Sequence, residues 1–230
     1  VRDVVHSRQF GWLWSHDIRP DQVGCLAAPG RRLIRLSSYG SGSARRFAAL
    51  LYDGDESAYR LDLDSTALGT CAGASAVTAD DEGRFSVVLG DAPSTVYADL
   101  DEEAAHALTA GGRRITDLAT YLVDGARRYA VVLDTRTGPG WLLTNLTGRQ
   151  LNGRLRRLHA VPVRLRAHPG DAEPRFSAVA EPDDGGSWFW YADLDADRVA
   201  HRLEAKRAYP VDLDAIRRAV GVRFTVVMRR

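Results

Sequence analysis

One pattern is written five times along this chain: an arginine, an aromatic, a small residue, then aliphatics. It reads Arg46-Phe47-Ala48-Ala49-Leu50-Leu51, Arg84-Phe85-Ser86-Val87-Val88-Leu89, Arg128-Tyr129-Ala130-Val131-Val132-Leu133, Arg175-Phe176-Ser177-Ala178-Val179-Ala180 and Arg223-Phe224-Thr225-Val226-Val227-Met228. Apolar residues on successive positions describe a strand buried on both faces. Copies recur every 38 to 48 residues or so, roughly the period of repeat architectures, in which neighbouring units share a core. The expectation is a single domain over residues 1–230 with five units, about 10–52, 57–90, 94–134, 140–180 and 187–230.

A second signal precedes each signature strand. Asp17, Asp62, Asp99, Asn145 and Asp193 are each followed by Ile or Leu, and two residues beyond each stand Arg19, Asp64, Asp101, Thr147 and Asp195. Asp and Thr are good helix N-caps, and Arg19 is followed by Pro20, favoured at the first helical position. Apolar residues one before and four after each cap (Ile18 and Val23, Leu63 and Leu68, Leu100 and Ala105, Leu146 and Leu151, Leu194 and Val199) make a hydrophobic staple. Gly-containing turns such as Gly40-Ser41-Gly42 and Asp124-Gly125 then join a further strand to the signature strand as a hairpin. One unit is therefore strand, helix, strand, strand. Short links demand antiparallel pairing, so the expected fold is α+β: one large curved antiparallel sheet with helices packed on one face. Pro162 and Pro210 fall in the first hairpin strands of units four and five, which predicts edge or irregular positions there.

The units resemble the bacterial tandem repeat domain family, carried best by Trp14 to Tyr52 and Tyr97 to Leu133, with the Gly-x-Arg lead-in at Gly30-Arg31-Arg32 and Gly112-Arg113-Arg114. A related repeat region is found in fungal polyglycine hydrolases, beside a serine hydrolase domain similar to β-lactamases. The resemblance implies a half-barrel-like sheet, and it makes a companion serine hydrolase domain an expected partner.

Chemistry is harder to find. Lys206 is the only lysine and Leu203 stands three residues before it, so the Ser-x-x-Lys of the companion hydrolases is missing. There is no Gly-x-Ser-x-Gly, His-Glu-x-x-His, P-loop or dinucleotide fingerprint, and no cofactor or metal is expected. Recurrence of Asp17, Asp62, Asp99, Asn145 and Asp193 in every unit favours a structural role at the strand-to-helix transition, since catalysis needs a carboxylate once or in one pair. His106 and His201 hold nearly matching helix positions and His16 precedes Asp17; satisfied or solvent-facing rings are expected. Arg149, Arg154, Arg156, Arg157, Arg164 and Arg166 read as a solvated basic face, because aromatics are not interleaved.

Two tryptophan pairs, Trp12 with Trp14 and Trp188 with Trp190, fall in the first and last units, two residues apart on one strand face. Packing of the chain ends is favoured. The competing reading makes these four the binding residues, an aromatic platform for sugar rings or peptide. Cys25 and Cys71 hold similar helix positions; helix axes about 8–10 Å apart favour two buried thiols over a disulfide.

A net charge of +1 gives no pull toward nucleic acid, and no apolar run approaches the roughly 20 residues of a membrane span. The arginine bias suits high-GC coding, as in actinobacteria. The chain begins at Val1 with neither initiator Met nor signal pattern, as expected of a mature secreted form or a segment of something longer. These readings point to a non-catalytic binding or accessory module of an extracellular or cell-surface protein, with a peptide or cell-wall polymer as partner. The alternatives are a peptide- or cell-wall-directed hydrolase, with a site no motif reveals, and a purely structural spacer or oligomerisation scaffold.

Overall fold

The computed structural model describes residues 4–7, 11–27, 29–170 and 173–230, without the side chains of 4–7, 136 and 137. Each unit runs lead strand, helix, hairpin strand, signature strand. Unit one has β2 (Gly11–Ile18), α1 (Val23–Leu26), β3 (Arg31–Tyr39) and β4 (Arg46–Asp53), preceded by β1 (Val4–Ser7). Unit two has β5 (Tyr59–Leu63), α2 (Ser65–Gly69), β6 (Ala74–Ala79) and β7 (Phe85–Leu89). Unit three has β8 (Ser94–Leu100), α3 (Glu102–Ala107), β9 (Arg113–Val123) and β10 (Ala126–Thr137). Unit four has β11 (Trp141–Thr147), α4 (Gly148–Leu158), β12 (Ala160–Ala167) and β13 (Arg175–Pro182). Unit five has β14 (Trp188–Leu194), α5 (Ala196–Lys206), β15 (Tyr209–Arg218) and β16 (Gly221–Arg229).

The signature strand lies in the middle of every sheet, in the orders β2-β4-β3, β5-β7-β6, β8-β10-β9, β11-β13-β12 and β14-β16-β15, with β1 outside β2. The tight hairpin places it beside one neighbour, and the helix carries the lead strand across to its other edge. A strand flanked on both sides and covered on both faces suits its aliphatic run: Phe47 through Leu51 are completely buried.

The single large sheet is corrected. Among the described residues the ladders form five separate antiparallel sheets, one per unit, each of three strands, with β1 adding a fourth to the first. The reason lies at the unit boundaries, where side chains take the edge backbone groups that a neighbouring strand would otherwise pair. Ser38 N–H donates to Thr78 Oγ1 at 2.9 Å, Val77 N–H to Asp117 Oδ2 at 2.7 Å and Leu165 N–H to Asp212 Oδ2 at 2.8 Å. Ala215 N–H donates to Ser37 Oγ at 2.8 Å, and Arg166 Nε reaches the Leu118 carbonyl at 2.8 Å. Edges satisfied in this way cannot extend a ladder. The hairpin strands nevertheless touch in a closed circuit: β3 meets β6, β6 meets β9, β9 meets β12, β12 meets β15, and β15 returns to β3. First and last units share one core, in which Trp14 lies edge-on to Phe224 at 5.7 Å.

The helix starts form as the caps dictate. Asp64, Asp101, Thr147 and Asp195 accept from the N–H groups of Ala67, Ala104, Gln150 and Arg198, and Thr147 with Gln150 completes a capping box. Arg19 makes no side-chain cap to the helix; its own N–H is taken by Gln22 Oε1 at 3.0 Å. Staple residues Ile18, Val23, Leu68, Ala105, Leu151, Leu194 and Val199 are buried.

The recurring Asp and Asn have a backbone reason. Asp17, Asp62, Asp99, Asn145 and Asp193 all have φ between 55 and 62°, in the left-handed region. Each sits where the lead strand carries an extra residue against its partner. Asp and Asn tolerate this conformation better than other residues with a Cβ. Their side chains also account for the signature arginines: Arg46 lies 3.5 Å from Asp17, Arg84 3.2 Å from Asp62, Arg175 3.5 Å from Asn145 and Arg223 3.7 Å from Asp193. In unit three Tyr121 Oη donates to Asp99 Oδ1 at 2.8 Å.

Every hairpin strand also bulges by one residue, at Ile34, Ser75, Thr116, Val163 and Val211. Pro162 and Pro210 each immediately precede the bulge on a strand at the sheet edge, as the missing donor requires. Both cysteines are free, but Cys25 is exposed and only Cys71 is buried. The single turn of α1 leaves Cys25 facing outward, so two buried thiols are not formed.

Candidate functional site

The residue after each bulge occupies one register position: Arg35, Ala76, Asp117, Arg164 and Asp212, each opposite the fifth residue of its signature strand. Two residues on, Ser37, Thr78, Ala119, Arg166 and Asp214 form a second set opposite the third signature residue. The circuit of hairpin strands brings these sets together. Arg35 hydrogen bonds Asp117, and its Nε lies 3.5 Å from Asp212 Oδ1. Arg166 Nη2 donates to Asp117 Oδ1 at 2.8 Å and Nη1 to Asp212 Oδ2 at 2.6 Å. Arg35, Arg166, Asp117 and Asp212, from four units, thus form a buried ionic hub, with Arg164 Nε 3.6 Å from Asp117 Oδ1 at its edge; Asp117 is 0% and Arg166 2% exposed.

The hub holds its charges by mutual pairing. Burial lowers the Arg35 guanidinium, and the Arg166 charge adds to this. Burial also works against charge on Arg166, yet Asp212, Asp117 and Asp214 hold it above the usual arginine value. Asp212 stays below the carboxylate range, since Arg166, Arg35 and Arg164 together outweigh its burial. Removing one partner from a buried set of this kind costs about 3–5 kcal/mol, because the remaining charge is left unpaired.

Arg166 also lines a cavity of about 240 Å³ whose walls come from all five units. Its walls include Ser38, Thr78, Ala119, Tyr121, Arg166 and Asp214, with Asp80, Asp81, Leu122, Pro169, Ile216 and Arg217 among the others. Asp214, 7% exposed, accepts from Ser37 Oγ at 3.1 Å and from Ala167 N–H at 3.1 Å. Burial lifts its carboxyl above the ordinary range, although Arg166 and Arg35 pull it back. Tyr121 is raised by burial and by its bond to Asp99.

Sequence reasoning missed this site and misjudged part of it. Arg149, Arg154, Arg156 and Arg157 are exposed, as a solvated face requires, but Arg164 is half-buried and Arg166 lies inside the hub. Asp117, Asp212 and Asp214 went unnoticed because each alternates with apolar residues, as on a half-solvated strand.

The tryptophans take two different environments. Trp12 and Trp14 are core residues, and His16 stacks on Trp14 at 5.5 Å. Trp188 and Trp190 are half-buried and border a groove of about 540 Å³ with Asn152, His159 and Pro162. Trp190 Nε1 donates to Asn152 Oδ1 at 3.0 Å, and its ring meets Phe176 edge-on at 5.6 Å. The two pairs belong to separate clusters, one shared by units one and five, the other by units four and five. Asp17, Asp62, Asp99, Asn145 and Asp193 do not converge either, each being held at its own bulge.

One further polar group spans units three and four. Thr144 Oγ1 donates to Glu102 Oε1 at 2.6 Å and lies 2.8 Å from His106 Nε2, beside a cavity of about 420 Å³. With the Thr144 proton directed at Glu102, the ring nitrogen is the donor. Among the described residues no group of three His, Cys, Asp or Glu side chains could hold a metal ion, and no helix is long and apolar enough to cross a membrane.

No curated protein matches the chain. A family described as polyglycine hydrolase-like, structural repeat, matches residues 24–51, from α1 through the Gly30-Arg31-Arg32 lead-in to the end of the first signature run. That stretch supplies Arg35 to the hub and Ser37 to the junction with unit five. Over residues 24–51 the chain is therefore similar to a polyglycine hydrolase-like structural repeat.

Proposed function

We propose that this chain is a non-catalytic binding or accessory module whose ligand sits in the cavity lined by all five units. The observation that carries the reading is the break in repeat symmetry there. Positions held by Ser37, Thr78 and Ala119 in the first three units become Arg166 and Asp214 in the last two. A concave pocket with a few convergent polar groups is the usual form of a small-ligand site. Among the described residues no histidine, cysteine or lysine lines it, and the hydroxyls of Ser38 and Thr78 are 3.1 Å apart and bonded to each other. Non-catalytic binding suits this better than nucleophilic chemistry.

The partner class is a peptide or a cell-wall polymer, presenting a chain end small enough for the cavity. The proposal also places the module outside the cell and, from the resemblance to polyglycine hydrolases, beside a companion serine hydrolase domain. Calorimetric titration of the intact chain with short peptides and soluble peptidoglycan fragments tests the reading. Saturable binding, lost when Ile216→Trp fills the cavity mouth, supports it. Binding unchanged in that variant, or no binding to either class, overturns it.

The hydrolase reading has one observation in its favour, Thr144 placed between Glu102 and His106 at an open cavity. Release of new amine ends from peptide substrates, abolished by Thr144→Val in a folded protein, would establish it.

A further inference from the structure

We propose that the cavity lined by all five units seats a primary ammonium group, with Asp214 as the carboxylate that receives it. This rests on the reading of the cavity as a ligand site and names the ligand's chemistry.

Of the two arginines that line the cavity, Arg166 cannot serve an anion. Arg166 has five N–H donors. One goes to the Leu118 carbonyl, one to the Leu165 carbonyl, one to Asp117 and two to Asp212. An anion entering the cavity finds no donor left on it, and its charge is already shared between two aspartates.

The carboxylates are less committed. Asp80 is engaged by the N–H groups of Glu82 and Arg84 and by Arg45. Asp214 accepts one bond on each oxygen, while a carboxylate offers about four lone-pair sites. Roughly half its acceptor capacity therefore remains for a guest. The hydroxyls of Ser38 and Thr78 line the same cavity and add oxygens that accept. An ammonium group brings three donors and no acceptor, which matches this set. Arg217 is the opposing charge at the mouth, but it is exposed, where water and salt screen it.

The remaining wall fixes the rest of the ligand. Ala119, Leu122, Ala167, Ala215 and Ile216 make it aliphatic. A volume of about 240 Å³ exceeds that of cavities of roughly 150 Å³ that take up benzene, so a short aliphatic body or a single small ring fits and a longer chain does not.

The test is calorimetry on the intact chain at constant ionic strength, with n-butylammonium chloride, sodium butyrate and n-butanol as probes. A second arm compares trialanine amide with its N-acetyl form, separating free amines from peptide amino termini. The expected result is saturable binding of n-butylammonium, at least tenfold weaker binding of butyrate and butanol, and at least tenfold loss in Asp214→Asn. Ile216→Trp, which keeps Asp214 and its partners, should abolish binding, so the inference stays testable if Asp214→Asn folds poorly. Butyrate binding as tightly as the amine overturns it, as does retained amine binding in Ile216→Trp. If N-acetyl trialanine amide or peptidoglycan fragments bind in the cavity and amines do not, the ammonium inference fails while the binding-module reading stands. If nothing binds, both fail.

Discussion

Ser37 and Asp214 stand 177 residues apart in the chain, and the serine hydroxyl donates to the carboxylate at 3.1 Å. The same hydroxyl accepts from Ala215 N–H at 2.8 Å. Four contacts in the hairpin-strand circuit join units that follow one another in sequence; this one joins the first to the last. Closing the circuit gives the two terminal units a shared core in place of two exposed ends, which in an open array need polar capping faces.

Ser37→Ala should therefore weaken the whole molecule. It leaves a buried N–H and one carboxylate oxygen short of a partner, at a cost of about 1–3 kcal/mol. Urea unfolding is the check, with a single transition shifted to lower denaturant. A loss below about 0.5 kcal/mol, the range of ordinary surface substitutions, would mean that the junction does not depend on this bond.

Asp212 and Asp214 should give stability opposite pH dependences. Asp212 is held low, so its contribution is present above the unfolded value of about 3.9 and is lost as pH falls through its depressed folded value. Asp214 is held high, so its contribution is full below about 3.9 and is lost as pH rises through its raised folded value. Asp214→Asn should remove this second limb. Chemical denaturation of both proteins from pH 4 to 8 checks it, and parallel pH profiles would show that Asp214 does not titrate differently in the folded chain.

At Asp193 the backbone makes a sharp demand, with φ at 57°. Glycine meets it without strain, whereas a β-branched residue does not. Asp193→Val should lower stability by about 1–2 kcal/mol more than Asp193→Gly. Thermal unfolding of the pair decides, and equal losses would assign the residue's role to its ion pair with Arg223 alone.

Much of this was legible in sequence because it is local. Asp64 caps a helix three residues on, the staple joins Leu63 to Leu68, and the signature strand announces its burial through its own aliphatic run. The hub was not legible because its pairings are distant. Arg35 and Asp117 are 82 residues apart, and each alone looks like a charge on a half-solvated strand. The division into five sheets was hidden for the same reason: Val77 gives its N–H to Asp117 of the next unit and not to a strand, and strand periodicity carries no sign of that. Trp14 and Trp190 show the limit from the other side. Both are tryptophans two residues from another, yet one is 2% exposed in the core and the other borders a groove.

Where a guest goes decides whether the cavity or the tryptophan groove is the binding site. Backbone amide shifts of the intact, isotope-labelled chain, recorded while trialanine amide is added, read that directly. The predicted result is saturable movement of Thr78, Ala119, Ala167 and Ala215, absent in Ile216→Trp. Movement confined to Trp188, Trp190 and Asn152, or no movement at all, would contradict it.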